Sequence, residues 1–451
     1  MPEFSRYRFW ITLCSCYLLL VASTAAAEKT KVAYQPNWES LDRHQTPKWF
    51  QDAKLGVFVY APQPSRAAWD AWRKQHGLPP KTANRSYSLD NVDWNVDQVL
   101  QEVVDAGARY VVLAGDERSY FLTWPSRYAD IEGSKFTTLG PNGRDWVGEF
   151  ATKARQLGLR FGIYRNYLHP EKNPYFLPTM YEMIDRYQPD TLWLDEDAHR
   201  YSADDLRSRE LAAYYYNHSK KQEEVALEDS LGNYKHQLDT FGKRLLHGDW
   251  FRKEISPPHD EITEGFFVRY EPLYRWRNRT PRGREHSRGI TNNMIEWLVD
   301  SVSKNGNLEV VTHPGPAGVA ALQKRTLLQI GLWLEVNGEA IYATRPWWEG
   351  NPQTVTSEGH HVRFTTKDGS LYAILLDWPW PQATFARLQA EPGTRVEMLG
   401  VFGTVDWQQT DKGLVLKRPA GSGSEGDETE IPCDHAFCFK ISPVPNWVST
   451  R

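Results

Sequence analysis

An apolar strand that runs straight into acids is the feature of this sequence most able to do chemistry. The stretch Asp190-Thr-Leu-Trp-Leu-Asp195-Glu-Asp197 follows a helix-like run from Tyr181 to Tyr187 and the turn pair Gln188-Pro189. In a barrel of alternating strands and helices, side chains at the C-terminal end of a strand face the active-site mouth, so Asp195 is placed to act on a bound substrate. An isolated acid at such a point serves equally well as the cap of the next helix, so the reading rests on the elements around it.

Those elements recur. Leu55 to Tyr60, Tyr110 to Ala114, Phe161 to Arg165, Thr191 to Asp195, Val225 to Asp229 and Leu308 to Thr312 are apolar segments of strand length. Between them Val96 to Ala106, Trp146 to Leu157 and Asn293 to Ser303 repeat apolar residues at three and four spacing, the pattern of amphipathic helices, and Gly107 and Gly158 stand where C-terminal caps do. Alternation of this kind predicts an α/β fold, a (β/α)8-like TIM barrel. After Thr344 short alternating segments such as Val362 to Thr366, Leu371 to Leu376 and Ala436 to Ile441, separated by turns such as Lys367-Asp368-Gly369, predict an antiparallel β-sandwich.

Basic Arg6 and Arg8, an apolar run from Phe9 to Ala22 and the small residues Ala25-Ala26-Ala27 have the form of a secretory signal. The expected organisation is therefore a signal peptide over residues 1–27, a catalytic barrel over 28–344 and a sandwich over 345–451, in a secreted or periplasmic protein. Cys433 and Cys438, the cysteines beyond that signal, suit either a disulfide in an oxidising compartment or two reduced buried thiols. A net charge of -4 without a basic stripe argues against nucleic acid as partner. Beyond the signal no apolar segment is long enough to span a membrane. The histidines show no His-Glu-x-x-His or similar ligand spacing, so neither a metal nor another cofactor is expected. The 19 Trp and 22 Tyr suit stacking on the C–H faces of sugar rings, and a large core consumes aromatics as well.

Taken in order, longer motifs carry a family resemblance. They are Trp49-Phe-Gln-Asp-Ala-Lys-Leu-Gly56-Val-Phe, Ala106-Gly-Ala-Arg-Tyr-Val-Val-Leu, Gly158-Leu-Arg-Phe-Gly-Ile-Tyr164, and Tyr187-Gln-Pro-Asp-Thr-Leu-Trp-Leu-Asp195. Leu298-Val-Asp-Ser-Val-Ser-Lys304-Asn-Gly-Asn307-Leu and Ile330-Gly-Leu-Trp-Leu-Glu-Val-Asn-Gly338-Glu-Ala-Ile-Tyr-Ala-Thr344 follow and are the most specific. The sequence resembles glycoside hydrolase family 29, the α-L-fucosidases. That resemblance implies an exo-glycosidase removing a terminal sugar from a glycan by double displacement, with two carboxyl groups about 5 Å apart. By similarity Asp195 is the nucleophile. Glu254, in Gly248-Asp249-Trp-Phe-Arg-Lys-Glu254, is the implied acid/base, with Asp260, Glu261, Glu264 and Glu271 as rivals.

The sugar-reading positions depart from the family. Tyr60-Ala61-Pro62 stands in place of a His-Trp-Gly, Asp116-Glu117-Arg118-Ser119-Tyr120-Phe121 in place of a Lys-His-His-Asp-Gly-Phe, and Thr312-His313-Pro314-Gly315-Pro316 in place of an Asn-Ile-Gly-Pro. Arg165 replaces the aromatic that commonly follows Tyr164. The expected substrate-binding set is Tyr60, Trp72, Glu117, Arg118, Tyr164 and Arg165, whose charged members could bind a differently hydroxylated, sulfated or acidic sugar. Pairing of Glu117 and Arg118 with each other or with Arg165, merely to hold a loop, is the alternative. Trp69 and Trp72 could equally pack under the first loop. An inactive glycan-binding protein on the same fold is the competing functional reading.

Overall fold

Strand segments rich in β-branched and aromatic residues with little charge, such as Tyr110–Ala114, are buried along their whole length, as parallel strands covered on both faces must be. The computed structural model describes residues 32–61, 66–77, 95–116, 120–139, 143–166, 174–194, 201–232, 247–254, 262–273, 286–314, 318–349, 355–377, 381–419 and 432–448, with backbone alone at 66, 253–254 and 286–288. Strands β1 (Leu55–Val59), β2 (Tyr110–Ala114), β3 (Arg160–Arg165), β4 (Thr191–Leu194), β5 (Ala226–Leu227), β6 (Phe251–Glu254), β7 (Phe267–Pro272) and β8 (Gly306–Thr312) form one sheet in the order β5-β4-β3-β2-β1-β8-β7-β6. All its pairings are parallel. The two edges meet at a parallel bridge between Glu228 and Trp250, with Asp229 N–H donating to Trp250 O at 3.0 Å and Asp249 N–H to Leu227 O at 2.7 Å. The barrel expected from the sequence is thereby closed, and its seam is short.

Helices α1 (Val96–Asp105), α2 (Trp146–Gln156), α3 (Phe176–Tyr187), α4 (Ser208–His218), α5 (His286–Ser303) and α6 (Ala321–Asn337) accompany the strands. Asn95 and Asp145 cap α1 and α2 by accepting from the Gln98 and Gly148 amides. Gly107 and Gly158 follow the ends of these helices at φ +78° and +77°, as their caps require. Strands β6 and β7 are absent from the sequence expectation, because Phe251-Arg-Lys-Glu and Phe267-Val-Arg-Tyr-Glu-Pro carry charges that break an apolar run. The Arg269 and Glu271 side chains of β7 are nonetheless buried, bonded to each other at 2.7 Å.

The C-terminal region is antiparallel, as expected. Arg345–Pro346, β9 (Val362–Lys367), β10 (Ser370–Leu375), β12 (Phe437–Ser442) and β11 (Arg395–Met398) form a five-stranded sheet in that order, facing a three-stranded sheet of Gln382–Phe385, Gly413–Lys417 and Trp407–Thr410. Alternation divides β10 between two cores. Leu371, Ala373 and Leu375 join the sandwich core, while Tyr372 and Ile374 join the barrel core. The contact is polar too: Arg363 Nε donates to Asp300 of α5 at 2.8 Å, and Trp333 Nε1 of α6 donates to Ala436 O at 2.8 Å. Cys433 and Cys438 are free thiols, so the disulfide does not form. Cys438 is buried on the barrel-facing side of β12, whereas Cys433 Sγ donates to the carbonyls of His435 and Ala436 and accepts from Asn337 Nδ2.

At the seam His44 Nδ1 lies 2.6 Å from Asp249 Oδ1, and its Nε2 lies 2.9 Å from Gln222 O. A carboxylate and a carbonyl only accept, so both ring nitrogens donate and the ring is an imidazolium. The second oxygen of Asp249 accepts from Leu227 N–H at 2.8 Å and from the Tyr216 hydroxyl at 3.3 Å, which ties β5 to the entry of β6. Burial opposes the charge on His44, but the Asp249 contact outweighs it and raises the pKa above the usual histidine value. Deeper in the barrel Glu309 of β8 is fully buried. Burial pushes its carboxyl up to about 8, against the pull of the Tyr110 hydroxyl and of Arg252. That hydroxyl faces the carboxyl without forming a hydrogen bond of ordinary geometry.

Two stability profiles follow. The folded pKa of His44 exceeds the unfolded one, so its stabilisation is complete below the unfolded value and is lost as pH rises through the folded value. His44→Ala should cost about 3–5 kcal/mol near pH 6 in denaturant unfolding and distinctly less near pH 9; equal losses at both would refute the imidazolium. Glu309 binds its proton more tightly when folded, so the parent loses stability as pH climbs from about 4.5 to about 8. Melting curves of Glu309→Gln should match the parent near pH 4.5 and exceed it by several degrees above pH 8, and parallel curves would contradict the buried acid.

Candidate active site

Side chains alternate along a strand, so the register of the sheet decides which of them enter the barrel. Gly56, Phe58 and Tyr60 share the inner face of β1, and Gly56 pairs with Tyr110 on one side and Glu309 on the other. The same face continues through Tyr164, which pairs with Trp193, and through Tyr270, which pairs with Glu309. Gly56 leaves the room that the Tyr110 ring fills, since a Cβ there would lie 2.3 Å from that ring. Above it Phe58, Tyr164, Trp193 and Tyr270 meet edge to face with centroids 5.0–5.5 Å apart. These four rings make a rigid apolar floor. Arg252 of β6 lies over the Trp193 ring at 5.3 Å.

Polar groups stand on that floor at the C-terminal strand ends. The Tyr60 and Tyr270 hydroxyls are 2.8 Å apart, and His313 stacks on Tyr60 with centroids 3.9 Å apart. Burial holds the His313 pKa down to about 3, so its imidazole is neutral at working pH. Tyr164 reaches towards Asn166 Oδ1 at 3.5 Å. Among the described residues no three His, Cys, Asp or Glu side chains group as metal ligands would.

The residues expected from the sequence fall in different places. Tyr60 and Tyr164 meet at the mouth through Phe58, which both rings touch. Glu254 ends β6, with its Cα in register with that of Tyr270. Asp195, Glu117 and Arg118 lie outside the described residues, as do Asp260 and Glu261. β4, which delivers the chain to Asp195, ends at Leu194.

Arg165 does not join the mouth. It alternates with Tyr164 onto the outer face and is fully buried, donating from Nε to Asp116 Oδ2 at 2.8 Å. The rings of Trp124, Phe136 and Phe176 surround its guanidinium at 4.7–5.8 Å. Asp116 Oδ1 also accepts from the Asn166 amide, so this cluster clamps the end of β2 to the end of β3. Such a placement corrects sugar contact to loop support. Trp72 is likewise buried, in a small cluster with Phe121 and Leu139, with Nε1 donating to Lys135 O. It packs against Tyr120 and Phe121, and Trp69 stacks beside it.

Two rivals of Glu254 are ill placed. Glu264 is exposed ahead of β7, at the opposite end of the barrel from the mouth, and Glu271 points outward to Arg269. Sequence reasoning missed Phe58, Trp193 and Tyr270 as site-forming residues. Their alternation with buried aliphatic neighbours was the available signal for the first two.

Comparison with known proteins supports this picture. Residues 20–339 match the family described as alpha-L-fucosidase, and residues 354–442 match its C-terminal domain. The tissue alpha-L-fucosidase of Bos taurus is 30% identical, over 91% of this chain and 92% of its own. A Thermotoga maritima alpha-fucosidase in complex with a mechanism-based inhibitor superposes with a TM-score of 0.67 at 24% identity, covering 90% of this chain and 99% of that one. A GH29 alpha-L-fucosidase from Bacteroides thetaiotaomicron, trapped as a covalent intermediate, superposes with a TM-score of 0.63 at 16% identity, covering 87% and 95%. Family match, barrel and appended antiparallel sheets agree, and the chain belongs to the α-L-fucosidase family, glycoside hydrolase family 29.

Proposed function

We propose that this protein is an exported retaining exo-glycosidase of the α-L-fucosidase type, removing terminal fucose or a related sugar from glycans. Asp195 is the nucleophile and Glu254 the acid/base. The observation that carries this reading is the relation of β4 to β6. Only β5 separates them, and neighbouring strands lie about 4.8 Å apart, so the two strand ends stand roughly 10 Å apart across the mouth. A span of that size suits the carboxyl separation of about 5 Å that double displacement needs. The covalent intermediate trapped in the Bacteroides thetaiotaomicron relative supports the same chemistry. The signal-like N-terminus supports export.

Asp195 attacks the anomeric carbon while Glu254 protonates the departing oxygen; Glu254 then takes a proton from the water that releases the sugar. The aromatic floor excludes water from the reacting carbon, and Tyr60, Tyr164 and Tyr270 offer hydroxyls and ring faces to the sugar. Glu117 and Arg118 take the places of histidines and bind its further polar groups. The neutral His313 brings no charge to this wall.

Azide separates the two acids. With an aryl α-L-fucoside, Asp195→Gly should lose at least about 10³-fold in kcat and, given azide, yield the β-azide by a single inversion. Glu254→Ala should lose about 10²–10⁴-fold and yield the α-azide by trapping of the covalent intermediate. Exchange of the two configurations would overturn the assignment. A parent protein that binds glycans yet cleaves none of a panel of aryl glycosides would instead identify an inactive lectin-like relative.

A further inference from the structure

At the opposite end of the barrel from the mouth lies a cleft of about 480 Å³, lined where β3, β4 and β5 begin. It gathers Arg155 from α2, Arg160 from β3, Arg186 from α3, and Lys220 and Lys221 from the turn beyond α4. Only two carboxylates line it, Asp190 and Glu224, and both are already engaged. Asp190 accepts from Arg160 and from the Phe161 amide, each at 2.8–2.9 Å, and Glu224 accepts from Arg160 and Lys221. Arg186 is paired with Asp145. Arg155 donates to two neutral carbonyls, those of Tyr187 and Gln188, and no ion pair holds it or Lys220 among the described residues.

The walls are fixed before any ligand arrives. Gln188 ends α3 in the left-handed conformation and donates from its amide to Ile184 O and His218 O, while its oxygen accepts from the Lys220 amide. Gly158 opens the floor, with nothing within 4 Å of where a Cβ would stand. Arg155 and Arg186 lie in the last turns of their helices, where a cation also offsets the helix dipole. Arg160 and Lys221 are held by Asp190 and Glu224, and Lys220 stands just beyond the C-cap of α4. In a chain of net charge -4, this excess of cations is local.

We propose that the basal cleft is a second, non-catalytic glycan site, which takes an acidic segment bearing sulfate ester or carboxylate. The volume accommodates a sugar unit or two, and the guanidinium and ammonium groups gathered there suit such oxyanions. The site lies about 15–20 Å from the mouth along β3, so it holds a remote part of a polymer whose end is being trimmed. The inference rests on the glycosidase reading for its purpose and on the cleft alone for its binding.

Calorimetric titration of the whole protein with a short fucose-free sulfated galacto-oligosaccharide, its desulfated twin and an oligouronate tests it. The parent should bind an acidic ligand, with affinity falling as salt is added, and should ignore the desulfated twin. The double variant Lys220→Glu/Lys221→Glu should bind about tenfold or more weakly, while kcat/KM on a small aryl fucoside stays within about twofold. The oligouronate shows whether carboxylate serves as well as sulfate. Unchanged binding by the double variant, or equal binding of the desulfated twin, would falsify the proposal; cations that serve only the helix ends give the first of these. A parent that cleaves no fucoside defeats the functional reading and leaves the titration to decide the cleft.

Discussion

The seam between β5 and β6 is the constraint on which the rest of this molecule depends. β5 has only two strand residues, and its link to the next strand is one bridge, two backbone hydrogen bonds and the carboxylate of Asp249. That carboxylate holds the Leu227 amide with one oxygen and the His44 imidazolium with the other, in a pocket where both side chains are 1% exposed. A buried carboxylate is tolerable because every charge beside it is compensated, and removing one partner would strand the other. β4 and β6 stand on either side of this closure, so the spacing of the two proposed acids is inherited from it.

Rigidity continues upward from the seam. The Phe58, Tyr164, Trp193 and Tyr270 rings leave few alternative packings, and Trp193 also meets Trp250, which sits at the seam itself. The same packing places Glu309 in a region where its ionised form is disfavoured, and the barrel tolerates it by keeping the proton. Outside the barrel, both faces of the five-stranded sheet are buried, one by the sandwich and the other by α5 and α6. The C-terminal region is thereby a brace on the barrel wall, with Asp300 shared between Lys304 and Arg363.

The two ends of the barrel differ chemically. The mouth presents phenols and a neutral imidazole, while the base gathers cations at helix ends and strand starts. Glycosidic chemistry needs the first, where a low-dielectric floor strengthens the action of the few charges admitted. Retention of a long acidic substrate is served by the second, where solvent-facing charge acts without interfering with the acids.

Much of this was legible in the sequence. Periodicity of apolar residues marked β1, β2, β3, β4, β5, β8 and their helices, and the ordered motifs marked the family, because both depend on neighbours along the chain. The turn-punctuated segments after Thr344 marked the antiparallel sheets for the same reason. Charged strands β6 and β7 stayed hidden, since Arg269 and Glu271 compensate each other and make a polar sequence buriable. Arg165 and Trp72 read as sugar contacts, and tertiary packing turned both into supports. Five cations scattered between Arg155 and Lys221 form no basic stripe in the sequence, yet converge once the barrel bends the chain upon itself. Local pattern fixes which residues become strand or helix; which side chains meet is decided by register and closure, which only the folded chain possesses.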